Sequence, residues 1–491
     1  MTGPLSFLDL VVIAVYLVAV IAIGLALAGR QRDATDYFLG HRDLPWWAVC
    51  LSIVATETSA LTVISVPGIA VRGDFRFLQL AFGYLVGRLA VAWLLLPGYF
   101  AGTQETAYQR LGSRFGVGAR RVASGIFMGT RALGDGVRVF ATAIPLTIVT
   151  GWPIPASIAA VGLATLAYTY VGGLRAVVWV DVVQLGVYVL GGVVAIVIAA
   201  GLAGGLGAGL AAASTEGKLR VLDFSWDWTT TYTVASGLIG GAFLSAASHG
   251  TDHLIVQRLL ATRSLRDARL ALVASGVLVI GQFALFLFVG TMLWAAGADR
   301  AELEQDAIFP TFVVERLPSG LAGLIVAGVL AAAMSTVSSS LNALASASTH
   351  DFYAPATGRR DPRHLLTVGR WATAIWALVL VGGAMLFRSR DAPVVVIALS
   401  IASLTYGALL GTFILAAWRR ATELDAVIAI VVTTLTMTMV VFGFPLRLLA
   451  GLAWPWYVPL GVAICVVTGI LSSAVRTSGR SRRQSARAVT E

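Results

Sequence analysis

The sequence predicts an all-α polytopic membrane protein of about thirteen transmembrane helices. Three observations carry that prediction. The 491 residues are 58% apolar and 12% charged, which is the composition of a chain solvated by lipid. The apolar residues fall into runs mostly near or above the roughly 20 residues that cross a bilayer. The arginines gather in every second connection between those runs, as in cytoplasmic loops.

The runs are 8–29, 44–70, 77–100, 120–149, 153–171, 176–204, 231–249, 268–297, 319–349, 365–387, 392–418, 424–446 and 454–475. The first has no basic stretch before it and exceeds a signal-peptide core, so it reads as a retained helix. Arg30, Arg32 and Arg42 follow the first run, and Arg110, Arg114, Arg120 and Arg121 the third. Arg258, Arg263, Arg266 and Arg269 follow the seventh, Arg359, Arg360 and Arg363 the ninth, and Arg419 and Arg420 the eleventh. The tail adds Arg476, Arg480, Arg482, Arg483 and Arg487. The net charge of +10 therefore reports topology, and no nucleic-acid partner is implied. An odd helix count puts the N-terminus outside and the C-terminus in the cytoplasm of the plasma (inner) membrane. Residues 1–475 read as one transmembrane domain and 476–491 as a basic cytoplasmic tail.

Smaller features fit the same frame. Trp46, Trp47, Trp454 and Trp456 flank helix starts beside prolines, where amphipathic rings anchor at headgroups. The outer connection near 205–230 reads as a short surface helix or a lid. Cys50 and Cys465 lie inside separate runs and imply neither disulfide nor zinc site. His249 and His253 have the i,i+4 spacing of a metal face, but their place at a run's end favours an interfacial role.

Two runs make poor continuous helices. Residues 51–68, LSIVATETSALTVISVPG, bury Glu57 among threonines and serines, and 236–250, SGLIGGAFLSAASHG, are rich in glycine, serine and alanine. Such interruptions mark discontinuous helices, whose freed carbonyls and helix ends build midplane binding sites. The two lie in the second and seventh runs, five apart, which fits a five-plus-five inverted repeat. The stretch 329–353, VLAAAMSTVSSSLNALASASTHDFY, sets hydroxyls at membrane depth, where lipid offers no partner. An oxygen-lined cavity for a hard cation such as Na+ follows.

The fourth run places Arg131, Asp135 and Arg138 at i, i+4 and i+7, on one face. Ionisable groups at that depth pair or line a water-filled cavity. One pair neutralises internally and leaves a guanidinium for a solute carboxylate, or the three close into a structural cluster.

Four motifs in order resemble the sodium:solute symporter family. YFLGHRDLPWW at 37–47 looks like its opening motif, and VGGLRAVVWVDVVQ at 171–184 is similar to its signature loop and sixth helix. TDHLIVQRLLATRSLRDAR at 251–269 resembles the cytoplasmic connection after its seventh helix. The stretch 332–353 resembles its sodium-binding helix. The resemblance implies a LeuT-type core over 44–418, one extra helix before it (8–29) and two after (424–475). It implies a secondary transporter, and not an enzyme, that couples one or two Na+ ions to uptake of a small-molecule solute. No obligatory protein partner is implied.

Carried onto this sequence, the main sodium site uses the carbonyls of Ala55, Thr58 and Ala332 and the hydroxyls of Ser335 and Thr336. A second site, present in some members, matches Asp181, Ser335, Ser338 and Ser339. The solute positions are Thr56, Glu57, Ser59, Thr62, Gln79, Arg131, Asp135, Arg138, Ser245 and Ser248, with Tyr406 as a further candidate. An arginine on the fourth helix points to an organic acid, a monocarboxylate or acidic sugar. Glu57 stands where some relatives carry an acid and others an amide or threonine: it balances a fourth-helix arginine or assists ion entry, and where it faces the solute it favours a zwitterion or neutral polyol. Ser245 and Ser248 stand where sugar transporters place an asparagine and a gating tyrosine. Two other couplings stay open: a proton carried by Glu57 or Asp181, and Na+ symport of a neutral sugar or amino acid. A membrane sensor or enzyme is the competing class.

Overall fold

The computed structural model describes residues 6–102, 104–387, 394–441 and 451–488, whose regular secondary structure is helical. The long elements are α1 (Phe7–Leu27), α2 (Trp46–Glu57), α3 (Ala60–Arg72), α4 (Leu78–Phe100), α5 (Val117–Thr150), α6 (Ile154–Leu202) and α7 (Gly241–Gly250). They continue with α8 (His253–Leu260), α9 (Leu265–Ala295), α10 (Leu321–Ala347), α11 (Pro362–Leu386), α12 (Val394–Leu415), α13 (Glu423–Val441) and α14 (Tyr457–Ala488). By length and apolarity, eight helices among the described residues qualify as membrane spans, or nine when the bent pair α2–α3 counts as one. That measure does not reach the thirteen expected. The shortfall comes partly from helices that are broken: the expected run 231–249 is a π-turn at Ser236–Gly240, then α7, a break and α8.

The sequence places breaks where the chain needs them. In α2–α3 the backbone is extended at Thr58 (φ −82°, ψ 95°) and Ser59 (φ −82°, ψ 167°), and the halves are inclined by 62°. In α6 the break is Gly173, at φ +55° and ψ −151°. Two expected runs, 153–171 and 176–204, meet at that single residue. A continuous helix of this length would exceed about 70 Å, over twice the hydrocarbon thickness of about 30 Å. A Cβ on Gly173 would lie 2.2 Å from the Tyr37 carbonyl oxygen, so only glycine fits.

α10 is the central helix. Of its most apolar window 89% is buried, against half or less for the other spans, and it packs on α1, α5 and α6. Lipid therefore does not reach its hydroxyls. Asp9 of α1 caps it, accepting from the backbone N–H groups of Gly320 and Gly323 at 2.7 Å each; a carboxylate offsets the orphan donors of a helix start. α4 and α7 meet through glycine: a Cβ on Gly87 would sit 2.2 Å from the Ala242 oxygen, the close approach of small-residue membrane interfaces. The outer connection does contain a helix, Leu206–Thr215.

Candidate functional site

The break between α2 and α3 frees backbone oxygens. Extended residues at 58 and 59 end the i→i−4 ladder, so the last carbonyls of α2 lack the N–H groups of a next turn. Thr336 of α10 faces this break: its hydroxyl donates to the Ala332 oxygen at 3.2 Å and to the Thr56 oxygen at 3.5 Å. Ala55 and Ala332 are fully buried. Thr58 turns its hydroxyl back to the Val54 oxygen at 2.9 Å and accepts from Gln282 of α9. Of the expected sodium ligands, Thr336 thus meets the break at the Thr56 oxygen beside Ala332, while Ser335 turns its hydroxyl to Asp181.

Ser335 belongs to a second cluster. Its hydroxyl donates to Asp181 Oδ1 at 2.6 Å, and Ser52 donates to Asp181 Oδ2 at 2.5 Å. Thr56 reaches the same Oδ2 at 3.4 Å and Ser339 at 3.1 Å. Ser338 and Ser339 also bond back to the Ser335 oxygen, at 3.0 and 2.6 Å. Asp181 already has a cation. Arg258 Nη2 lies 3.2 Å from its Oδ2, with both side chains fully buried. The same guanidinium donates to Ser52 at 2.9 Å and the Leu254 oxygen at 2.9 Å, and also to Ser339. Arg258 is therefore not the loop arginine the sequence indicates. It sits on α8, all of whose residues are buried, so the stretch 251–269 begins as a half-helix of the transport core.

A third cluster joins α5, α8 and α12. Arg131 pairs with Asp252 and lies 3.5 Å from Asp135; Arg138 Nη1 pairs with Asp135 at 2.7 Å. Asp252 caps α8 through the Leu254 N–H at 3.0 Å and accepts from the Tyr406 hydroxyl at 2.9 Å. Ser340 of α10 donates to Asp135. Two acids and two arginines balance, and they line a cleft with Phe127, Thr130 and Thr405. Arg131, Asp135 and Arg138 do share one face, and their cluster is closed by an acid from the α7–α8 break. Among the described residues Arg138, partly exposed, engages Asp135 through one Nη.

Glu57 pairs not with a fourth-run arginine but with Arg88 of α4, which is fully buried and also holds Ser275 of α9 at 2.8 Å. His249 Nε2 lies 3.7 Å from the same carboxylate. Ser59 and Thr62, half-buried at the start of α3, lie beside this pair in sequence and carry no side-chain cap bond to that helix. Ser245 and Ser248 turn towards His249 Nδ1, at 3.5 and 2.8 Å. Gln79 is spent on the outer segment: it donates to the Arg76 and Tyr232 oxygens at 3.1 and 3.2 Å and accepts from the Asp223 N–H at 3.0 Å. Outside the membrane, hydrogen bonds from Ser225 and then Arg76 hold the Asp223 carboxyl down at about 2.

His249 and His253 do not converge. His253 accepts at Nδ1 from the Ala107 N–H at 3.3 Å and meets Ser346 at 3.0 Å. Among the described residues no three metal-ligating side chains cluster. Cys50 and Cys465 are both free and buried.

Comparison with known proteins places this geometry. The model of the sodium:solute symporter family matches residues 37–433. The chain is 28% identical over 475 residues to the sodium/sialic acid symporter NanT of Aliivibrio fischeri, covering 95% of this chain and 93% of that one. It is 30% identical over 422 residues to the human sodium/iodide cotransporter, covering 83% and 64%. Its fold is similar to the solved, substrate-bound, outward-open state of a Na+-coupled sialic acid symporter, with a TM-score of 0.85, 25% identity, and coverage of 96% and 98%. A LeuT-type core with broken helices accounts for the likeness, and the enzyme reading falls away because the family is one of transporters. The family match spans most of the chain, and this protein belongs to the sodium:solute symporter family.

Proposed function

We propose that the protein couples Na+ moving down its gradient to uptake of an organic acid across the plasma membrane by alternating access. One observation supports the sodium part: Thr336 on the buried central helix reaches the Thr56 carbonyl at the α2–α3 break. The Na+ ligands would be the oxygens of Ala55, Thr58 and Ala332 with the Thr336 hydroxyl and, once it leaves Asp181, the Ser335 hydroxyl, about five oxygens for a dehydrated ion. The names of the similar proteins support an anionic solute, since they are symporters of sialic acid and iodide. Its carboxylate would enter the α5–α12 cleft, taking the free donors of Arg138 or replacing Asp252 on Arg131. Thr56, Glu57, Ser59 and Thr62 would line the other side; Gln79, Ser245 and Ser248 would act from behind, through the outer segment and His249.

We read the stoichiometry as one Na+. A second ion at Asp181, Ser335, Ser338 and Ser339 would meet the Arg258 guanidinium already there, and like charges at that distance repel strongly in a low dielectric. The N-terminus lies outside and the C-terminus inside on this reading, with residues 1–475 as one transport domain and the arginine-rich connections in the cytoplasm. The test is thermal stability of the purified protein with organic acids in Na+ or K+. A shift that needs Na+ and is lost in Ser335→Ala/Thr336→Ala supports the site. A shift equal in both salts overturns the coupling.

A further inference from the structure

α9 crosses the broken helix α2–α3 and packs on both of its halves. Between residues 270 and 292 it carries three polar side chains, Ser275, Gln282 and Thr291. Ser275 donates to the Leu272 oxygen at 2.7 Å and Thr291 to the Leu287 oxygen at 3.1 Å, both within α9, as hydroxyls in helices commonly do. Gln282 differs. It is 6% exposed, and its amide reaches across to the Thr58 hydroxyl at the break.

The direction of that bond is fixed. The Thr58 hydroxyl lies 2.9 Å from the Val54 carbonyl oxygen, which can only accept, so the single hydroxyl hydrogen points there. Towards Gln282 the Thr58 oxygen is then an acceptor, and the NH2 end of the amide faces it. The Thr58 backbone N–H donates to the same Val54 oxygen at 3.1 Å. Thr58 is thereby tied to the last turn of α2 on one side and to α9 on the other, at the residue where the backbone leaves the helix. The far end of the amide does nothing for stability: among the described residues Gln282 Oε1 is buried without a hydrogen-bond partner, and an unpaired buried acceptor opposes folding. An apolar side chain of the same length would avoid that penalty, so the bond to Thr58 is what distinguishes a glutamine here.

We infer that Gln282 is a positioning residue for sodium coupling: without touching the ion, it holds Thr58 in the extended turn that ends α2 and so keeps the freed carbonyls in place for Na+. The inference rests on the sodium site proposed above. Contacts that support metal ligands are commonly worth about 10–100-fold in affinity, because a ligand already ordered loses less freedom on binding.

The test measures the Na+ concentration giving half-maximal thermal stabilisation of the full-length protein, with K+ as the balancing ion. Gln282→Met keeps the length and removes the amide, Thr58→Val keeps the shape and removes the hydroxyl, and Thr58→Ser keeps the hydroxyl. The first two should each raise the half-saturating Na+ about tenfold, while Thr58→Ser should stay within about twofold of the wild type. The double variant Gln282→Met/Thr58→Val should be no worse than either single change, since both remove the same bond. In K+ alone, amide hydrogen exchange at residues 58–63 should be faster in Gln282→Met than in the wild type, which reads the hold on the break without the ion. A lowered melting temperature with the half-saturating Na+ unmoved would make Gln282 a packing residue; it would overturn the inference and leave sodium coupling standing. So would single effects that multiply in the double variant. If Gln282→Met does not fold, equal half-saturating Na+ in Thr58→Val and Thr58→Ser would overturn the inference in the same way. A wild type stabilised equally by Na+ and K+ would overturn the sodium reading and the inference with it.

Discussion

Arg258 and Asp181 meet at 3.2 Å, each side chain wholly shielded from solvent and lipid. They come from elements 77 residues apart, and Ser52 touches both. A buried pair with saturated hydrogen bonds is costly to break from one side, because the survivor keeps an uncompensated charge. Arg258→Met alone should destabilise by about 3–5 kcal/mol, as should Asp181→Asn alone, while the double variant should recover more than half. Thermal unfolding of the four proteins closes the cycle. Additive losses would mean that the two residues act separately.

Asp252 holds Arg131, so in the proposed site it would compete with a solute carboxylate. Asp252→Asn should free the guanidinium and raise apparent affinity for the transported acid about tenfold, worth about 1.4 kcal/mol. Arg131→Met should lower it by at least as much. Competition binding at constant Na+ reads both; an unchanged affinity in both variants would move the carboxylate away from this cleft.

Gly173 cannot accept a side chain. At φ +55° and pressed on the Tyr37 oxygen, a β-branched residue meets both backbone strain and a clash, about 2 kcal/mol or more together. Gly173→Val should cut the yield of monodisperse protein severely, and Gly186→Val, where a side chain meets open space, should not. Size-exclusion chromatography of the two tests it.

The outer segment is pinned by Asp223, which accepts from Arg76 at 2.8 Å and whose carbonyl oxygen accepts from the Val234 N–H at 2.7 Å. Its carboxyl is held at about 2 against an ordinary 3.8, chiefly by hydrogen bonds from Ser225. A depressed acid stabilises the folded form above its unfolded value and loses that contribution as pH falls towards the folded one. Protection of residues 221–235 from hydrogen exchange, corrected for intrinsic rates, should therefore hold from pH 7 to about 5. It should decline below about pH 4, and Asp223→Asn should show the low-pH level throughout.

The fold class, the two broken helices and the hydroxyl-bearing central helix were legible because each follows from a local rule: run length, small polar interruptions, oxygens at membrane depth. Arg131, Asp135 and Arg138 were legible as one face for the same reason. What escaped was which charge pairs with which. Arg88 lies in an apolar run and carries the same signal as Glu57, yet only the packing of α2 and α4 side by side on α9 shows that the two meet. Arg258 looked like a loop residue because the half-helix that holds it is eight residues long, too short to register as a span. Asp252 sits between two histidines that drew attention to metals, while its role is to cap α8 and hold Arg131. Gln79 reads equally well as a solute ligand or a clamp, and its partners Asp223 and Tyr232 are more than 140 residues away.

The central claim is sodium coupling through the α2–α3 break and Thr336. The direct measurement is uptake of labelled organic acid into proteoliposomes under an imposed inward Na+, K+ or H+ gradient, for wild type and for Thr336→Ala. Accumulation above equilibrium with Na+ only, abolished in Thr336→Ala while the protein stays folded, is the result this account predicts. Accumulation driven by a proton gradient without Na+, or undiminished in Thr336→Ala, would contradict it.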